Sequence, residues 1–294
     1  MEKKYKLTDE TINLNGATLY RIEALKDFGE IKKGDKGGFI ESENNLAHEG
    51  NAWVSDNARV YGDACVFDNA QVYGNAFVSG YAQVYGNAFV YGNAWASDNA
   101  RLCGYAWVSD NARVYGDANV CDDSSVFGNA LVYDNARVYG NASVSDNARV
   151  YGNARVYGDA LVYDNASVSD NASVSRYAKV HGNVWVYGYA RVSDNARVCG
   201  NARVYGDALV RGAACVCGDA EISTDADYIV FKNWWSSGRY FTWTRSNNMW
   251  SVGCFYGTGD ELVKKAYKDS SKSGRQYERI VKYVEETLKE EENG

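Results

Sequence analysis

The sequence predicts an all-β solenoid, a stack of short parallel strands with a separate module at each end, and three observations predict it. From Asn51 to Thr224 one six-residue unit, Asn/Asp-Ala-X-Val-Tyr/Ser-Gly/Asp, runs through 29 consecutive copies without insertion or deletion. A unit so short buries no hydrophobic face alone and must stack on copies of itself. None of the 294 residues is proline, as expected where strands are paired on both sides and a missing N–H would break the ladder. The period stops on both flanks, where the sequence takes on turn-rich or aromatic-rich character.

Each hexad predicts a strand and a corner. In Asn57-Ala58-Arg59-Val60-Tyr61-Gly62, Ala and Val stand two apart with a polar residue between them. That alternation puts both apolar side chains on one face and X on the other. Tyr-Gly-Asn or Ser-Asp-Asn supplies the corner, with Gly, Asn and Asp predicted there because they adopt left-handed backbone at least cost. The inward positions are nearly all Val and Ala, which predicts a narrow, small-sided core.

The spacing Val60, Ala64, Val66 resembles that of the hexapeptide-repeat proteins, which fold as left-handed parallel β-helices. The resemblance covers about three-fifths of the chain. It implies three hexads per triangular coil, about ten coils, and a prism roughly 45 Å long at a strand spacing of about 4.8 Å. It implies no single activity, because that family holds acyltransferases, carbonic anhydrases and proteins without known chemistry. Such a stack has open edges only at its ends, which need covers against end-to-end polymerisation.

Three regions are therefore expected: a β-rich cap over residues 1–44, the solenoid over 45–224, and an α+β module over 225–294. In the first, Tyr5–Leu7, Thr11–Leu14 and Ala17–Ile22 read as strands around an Asn15-Gly16 hairpin turn. Lys33–Gly38 reads as a loop, Gly38–Glu41 as the entry to the solenoid, and Asn45–Gly50 as a degenerate first hexad. This leader resembles that of hexapeptide-repeat proteins common in bacteriophages and prophages, which implies a phage or prophage origin and a host partner. In the third region Tyr228–Phe231, Arg239–Thr244 and Met249–Phe255 read as strands. Thr258 with Glu261 has capping-box spacing, and a second cap is expected at Ser273 with Gln276, ahead of the stripe Tyr277, Ile280, Val281, Val284, Leu288.

Composition narrows the function classes. The net charge of −7, with 12 Lys/Arg against 17 Asp/Glu in the repeat, gives no general pull towards nucleic acid or anionic membrane. No apolar run nears a membrane span and no secretory leader is visible at Met1, so a cytoplasmic setting, in a bacterial host, is expected. With coils of 18 residues, Cys103 lies over Cys121 and Cys199 over Cys217, within the Cα range of a disulfide. A cytosolic setting favours free thiols with a structural role, and pairing is left open. Neither cofactor nor metal ion is expected.

Catalysis is not expected. The hexapeptide-repeat acyltransferases resemble one another in a general-base His set against an extruded loop, and the 29 hexads here contain no loop. The only histidines are His48 and His181, the latter in a corner slot that Tyr and Ser normally fill. Three His ligands for a carbonic-anhydrase zinc are lacking, and ranks of Thr for an ice-binding face are absent. A divergent acyltransferase using His181 is the runner-up reading, and a purely structural spacer the third.

Binding is the favoured reading, of a host protein or a small anionic, phosphorylated ligand. The third hexad residue faces outward, so residues 18 apart form columns. One column carries Arg137 and Arg155, with Tyr139 and Tyr157 at the adjacent corner, a set suited to phosphate or carboxylate. The stronger reading of this column is a solvated lattice in which Asp134 and Asp159 neutralise the arginines. Phe77, Phe89, Trp95 and Trp107 gather outward apolar area and suggest an interface, either with a partner or in a homo-oligomer. The turn Ser236-Ser237-Gly238-Arg239, beside Trp243, is the other candidate anion site.

Overall fold

In a computed structural model, which describes residues 2–14 and 16–293, the hexads form a parallel β-solenoid of about ten coils with three faces. Strands of two residues recur every hexad and pair with the strand 18 residues on, as in Arg59↔Phe77, Cys65↔Gln83 and Phe89↔Trp107. The first face carries the column Arg59, Phe77, Trp95 through Glu221, the second Cys65 through Leu209, and the third Trp53 through Cys215. Inward Ala and Val side chains of every coil are fully buried and join into one continuous core.

The corners use two devices. The last hexad position adopts positive φ and is Gly or Asp, except that Arg176 holds it at φ 58° and the final hexad ends in Thr224 with extended backbone. Where it is Asp, the carboxylate accepts the N–H of the residue one coil on, usually Gly, as in Asp110 to Gly128 at 3.1 Å and Asp170 to Gly188 at 3.0 Å. Asn, expected to share the left-handed role, does not: its positions keep negative φ. Its side chains instead stack into amide ladders. One runs unbroken from Asn75 through Asn93, Asn111, Asn129, Asn147, Asn165, Asn183 and Asn201 to Asp219. Corner aromatics stack in the same way, Tyr115 on Tyr133 on Tyr151 at 5.0 and 4.9 Å. The corner cysteines pair as Cys103–Cys121 and Cys199–Cys217, each with Cα atoms 4.6 Å apart. The expectation of free thiols is corrected at these four positions because the coil spacing brings their sulfurs together.

The two ends differ in hydrogen-bond polarity. At the outward and corner positions of each hexad the N–H groups donate to carbonyls of the following coil, as Trp53 N does to Ala70 O and Asn57 N to Gly74 O, while parallel pairing returns the inward Val N–H to the coil before. The first coil therefore presents mainly unpaired acceptors and the last coil mainly unpaired donors. At the N-terminal end β1 (Tyr5–Leu14), β2 (Ala17–Ala24) and β3 (Lys36–Ile40) extend the first face, β3 pairing parallel with Arg59–Val60. Side chains of this end supply donors to the open carbonyls: Lys4 Nζ to Ala52 O at 2.8 Å, Arg21 Nη1 to Asp56 O at 3.1 Å, and Asn45 Nδ2 to Gly62 O and Ala64 O. The C-terminal end is met by acceptors, one group to each face. Thr242 Oγ1 takes Cys215 N, Ser246 Oγ takes Glu221 N, and the Tyr228 hydroxyl takes Arg211 N. Asp227 adds the N–H groups of Ser223 and Thr224.

Four local expectations change. The first two N-terminal strands merge into β1 with an irregularity between Leu7 and Thr11. Asn15 of the expected turn lies outside the described residues, while Gly16 has φ +90°. Gly37 and Gly38 belong to β3 rather than a loop, since a Cβ on Gly38 would stand 2.6 Å from Ala58 O. Beyond the solenoid the module is a four-stranded antiparallel sheet, Tyr228–Lys232, Tyr240–Thr244, Met249–Val252 and Phe255–Gly257. The run expected to be one strand turns at Gly253 (φ 59°). Helix α1 (Gly259–Asp269) has the expected Thr258/Glu261 capping box. Helix α2 (Ser271–Asn293) begins earlier than expected, with Ser270 Oγ rather than Ser273 accepting a first-turn N–H. Tyr277, Val281 and Val284 bury the predicted stripe against Phe241 and Trp250.

Candidate anion-binding cleft

The cleft of the C-terminal module begins with one buried amide. Asn233, at the end of the first strand, donates its backbone N–H to Arg239 O at 2.7 Å and so closes the loop 233–239. Its side chain accepts from Ser236 N and Ser236 Oγ, both at 3.0 Å, and donates to Ser237 Oγ and to the Tyr277 hydroxyl at 3.3 and 3.1 Å. Trp235 anchors the loop edge-on against Tyr277 and Phe241. A loop held by a fully used amide and an aromatic anchor presents its outward groups in a fixed place.

Those groups face a cleft of 470 Å³ between the loop, α1 and the start of α2. Arg239, Ser236 and Ser237 line one wall, Lys265 and Asp269 of α1 another, and Ser270 and Ser273 stand at the N-terminal end of α2. Val252, Phe255 and Leu262 form the floor. Ser270 and Ser273 bring the N-terminal end of the 23-residue α2 to the cleft, with Ser273 N already held by Ser270 Oγ at 3.1 Å. Among the described residues no carboxylate lies within 4.0 Å of the Arg239 guanidinium. Lys265 rests its ammonium 5.4 Å over the Phe255 ring. Two cations, several hydroxyls and a helix N-terminus outweigh the one carboxylate, Asp269. Burial raises the Tyr277 pKa, so its phenol stays protonated.

Ser237 and Arg239 thus occupy the site the sequence suggested. Trp243 does not: it is 2% exposed in the module core and its Nε1 donates to Asn248 Oδ1 at 2.8 Å. Strand alternation decides this, since Trp243 pairs with Trp250 on the buried side of the sheet. Sequence reasoning missed Asn233, Lys265 and Ser270, and read Ser273 only as a helix cap. The only available signal was the helix start, and it was placed on Ser273 instead of Ser270.

On the solenoid, Arg137 and Arg155 are register partners with Tyr139 stacked on Tyr157 at 5.0 Å. They line a shallow depression of 260 Å³ with Asn119 and Asp122. The expected neutralising lattice is not formed. Asp134 is engaged by Gly152 N and Asp159 by Asn141 Nδ2, and no carboxylate lies within 4.0 Å of either guanidinium among the described residues. The aromatic set divides between two faces, because Phe77 and Trp95 stand on the first and Phe89 and Trp107 on the third. Their ring pairs are 5.9 Å apart within each face. Arg59 and Arg113 lie over Phe77 and Trp95.

His181 stacks on Tyr163 at 4.8 Å with Nδ1 3.6 Å from Asp164. Burial first, then Arg197, lowers its pKa. His48 is stacked under Tyr5 and accepts Lys4 N at 3.2 Å.

A family model described as the YdcK beta solenoid repeat matches residues 70–84, 82–98, 130–146, 142–158, 148–164, 154–170, 190–204 and 196–212. The chain is a β-helix repeat protein. All the matched stretches lie in the solenoid, so they bear on the stack and leave the C-terminal cleft without a counterpart. No curated protein matches the chain. No helix among the described residues is long and apolar enough to cross a membrane.

Proposed function

We propose that this protein is a non-catalytic binding protein whose C-terminal cleft takes a small anionic ligand, a phosphate ester or a carboxylate, on a rigid solenoid support. The observation that carries the reading is the Arg239 guanidinium, which has no carboxylate within 4.0 Å among the described residues, in a cleft lined by Lys265, serine hydroxyls and the start of α2. A planar fork without an internal partner suits bidentate recognition of an oxyanion. Against acyl transfer by His181 stands its place in a corner stack, with one ring face on Tyr163. The phage setting rests on the resemblance of the leader alone.

Calorimetric titration of the full chain with inorganic phosphate and pyrophosphate, together with native mass spectrometry for a retained ligand, tests the reading. Arg239→Ala is expected to weaken binding by about 10- to 100-fold, the span of a lost charged hydrogen bond of about 1.5–3 kcal/mol. Equal binding by parent and variant would remove the cleft as the site.

The exposed Trp95, Trp107 and Trp185 favour a second reading, a protein interface along the prism. Sedimentation at rising concentration tests it, and a monomer throughout, with no partner retained, would end it.

A further inference from the structure

Three of the seven cysteines meet at the junction of solenoid and C-terminal module. Cys199 and Cys217 occupy one corner column and are joined, with Cα atoms 4.6 Å apart. Cys215 stands two residues before Cys217, on the last strand of the third face, and its Sγ lies 3.5 Å from Cys217 Sγ. All three sulfurs fall within 4.8 Å of one another, and all three residues are part-buried. The second corner pair, Cys103–Cys121, has no third ligand in comparable reach among the described residues.

The place is built rather than accidental in its backbone. Cys215 N donates to Thr242 Oγ1 at 2.8 Å, which fixes the last strand against the module. Cys199 N donates to Val216 O at 2.9 Å, which fixes the preceding coil over it. Arg197 is the register partner of Cys215 and adds a positive charge on the same face.

Tetrahedral thiolates about 2.3 Å from a zinc ion have sulfurs about 3.8 Å apart. The Cys215–Cys217 separation is close to that edge, and turning one side chain of the 199–217 pair opens the other two edges. We propose that, with the Cys199–Cys217 bond reduced, Cys199, Cys215 and Cys217 form a three-thiolate site for one thiophilic d10 metal ion of the zinc class, solvent completing the coordination. The disulfide is then the closed form of the same site. Opening it takes two electrons and two protons, either from two thiols that leave as a disulfide or from a phosphine that becomes its oxide while water supplies the oxygen and the protons, and each thiol gives its proton to solvent as its sulfur binds the metal.

The test uses the full chain, reduced with a phosphine and desalted, and Zn(II) alone as the probe in competition with a chromophoric chelator. One equivalent is expected to bind the reduced chain and none the chain reoxidised with a diazene oxidant. Co(II) in the same site is expected to give a thiolate charge-transfer band. Cys215→Ser is expected to lower affinity about tenfold or more, while Cys103→Ser leaves it unchanged. Cys199→Ser, on a different coil from the Thr242 contact, separates ligand loss from damage to the end cap and is expected to match Cys215→Ser. Absence of stoichiometric zinc in the reduced chain, or parent-like affinity in both variants, would overturn the proposal.

Discussion

Lys4 tests the polarity of the solenoid ends most directly. Its ammonium donates to Ala52 O at 2.8 Å, reaches Glu49 O and Gly50 O at 3.4 Å, and lies 4.9 Å over the Phe28 ring. The residue is 1% exposed. Lys4→Met keeps the length and apolar stem but leaves Ala52 O without its donor, at a cost of about 1–3 kcal/mol. The two longer contacts add little, the loss of the cation over Phe28 adds about 0.5–1 kcal/mol, and relief from burying an ammonium offsets part of the total. A net loss of about 1–3 kcal/mol is expected at the first coil. Because a solenoid opens from its ends, hydrogen exchange read by peptide is the suitable assay. Peptides spanning 45–75 should exchange roughly 5- to 150-fold faster, at 1.36 kcal/mol per decade, with the coils after residue 150 unchanged. Burial, and secondarily Lys26, lowers the Lys4 pKa from 10.5 to about 8. The unfolded chain keeps this proton up to its ordinary value while the folded chain releases it near 8. Between those values the unfolded state binds more protons, so the contribution of this group to stability rises with pH across that window. The rise should be missing in Lys4→Met. Unchanged protection in the first coil, together with identical pH dependence in the two proteins, would refute the donor-cap account.

At the opposite end, Thr242→Val preserves shape but leaves Cys215 N without an acceptor. A loss of about 1–2 kcal/mol should appear as faster exchange confined to the last coil, and light scattering should show more self-association. Arg176 holds φ at 58° where other coils use Gly or Asp, with only an exposed ion pair to Asp194 in return. Since left-handed backbone costs a side chain about 1–2 kcal/mol and such a pair contributes about 0–1, Arg176→Gly should be neutral or raise the melting temperature; a marked fall would contradict this. Gly104 has φ +67°, and a Cβ there would stand 2.8 Å from Asp122 N. Gly104→Ala should therefore cost about 1–2 kcal/mol or more in thermal unfolding. Replacing Arg137 and Arg155 by Ala together should leave phosphate titration unchanged if the cleft is the anion site, and abolish it if the site lies on the solenoid.

Elements set by local repetition were legible residue by residue. The 18-residue columns that the resemblance implied are the observed register, so Arg137 lies beside Arg155 and Tyr139 on Tyr157. The Thr258/Glu261 cap was legible because both partners lie within one helical turn. Features set by contacts between distant segments were not. Trp243 looked available beside Arg239, yet sheet pairing turned it inward. Phe77 with Trp95 and Phe89 with Trp107 fall in the two separate columns their spacing assigns, but those columns lie on different faces and do not make one contiguous set.

By itself the sequence determined the solenoid, its period and its core, because each hexad states the same alternation and the same corner and neighbouring copies only have to agree. Tertiary structure decided the rest. It selected which groups of the flanking modules satisfy the open ends, Lys4 and Asn45 as donors at one and Thr242 and Ser246 as acceptors at the other. It also brought Arg239, Lys265 and the start of α2 around one cleft, and Cys215 to the 199–217 pair. Those meetings depend on how non-repeating segments pack across long sequence separations, and no local pattern encodes that.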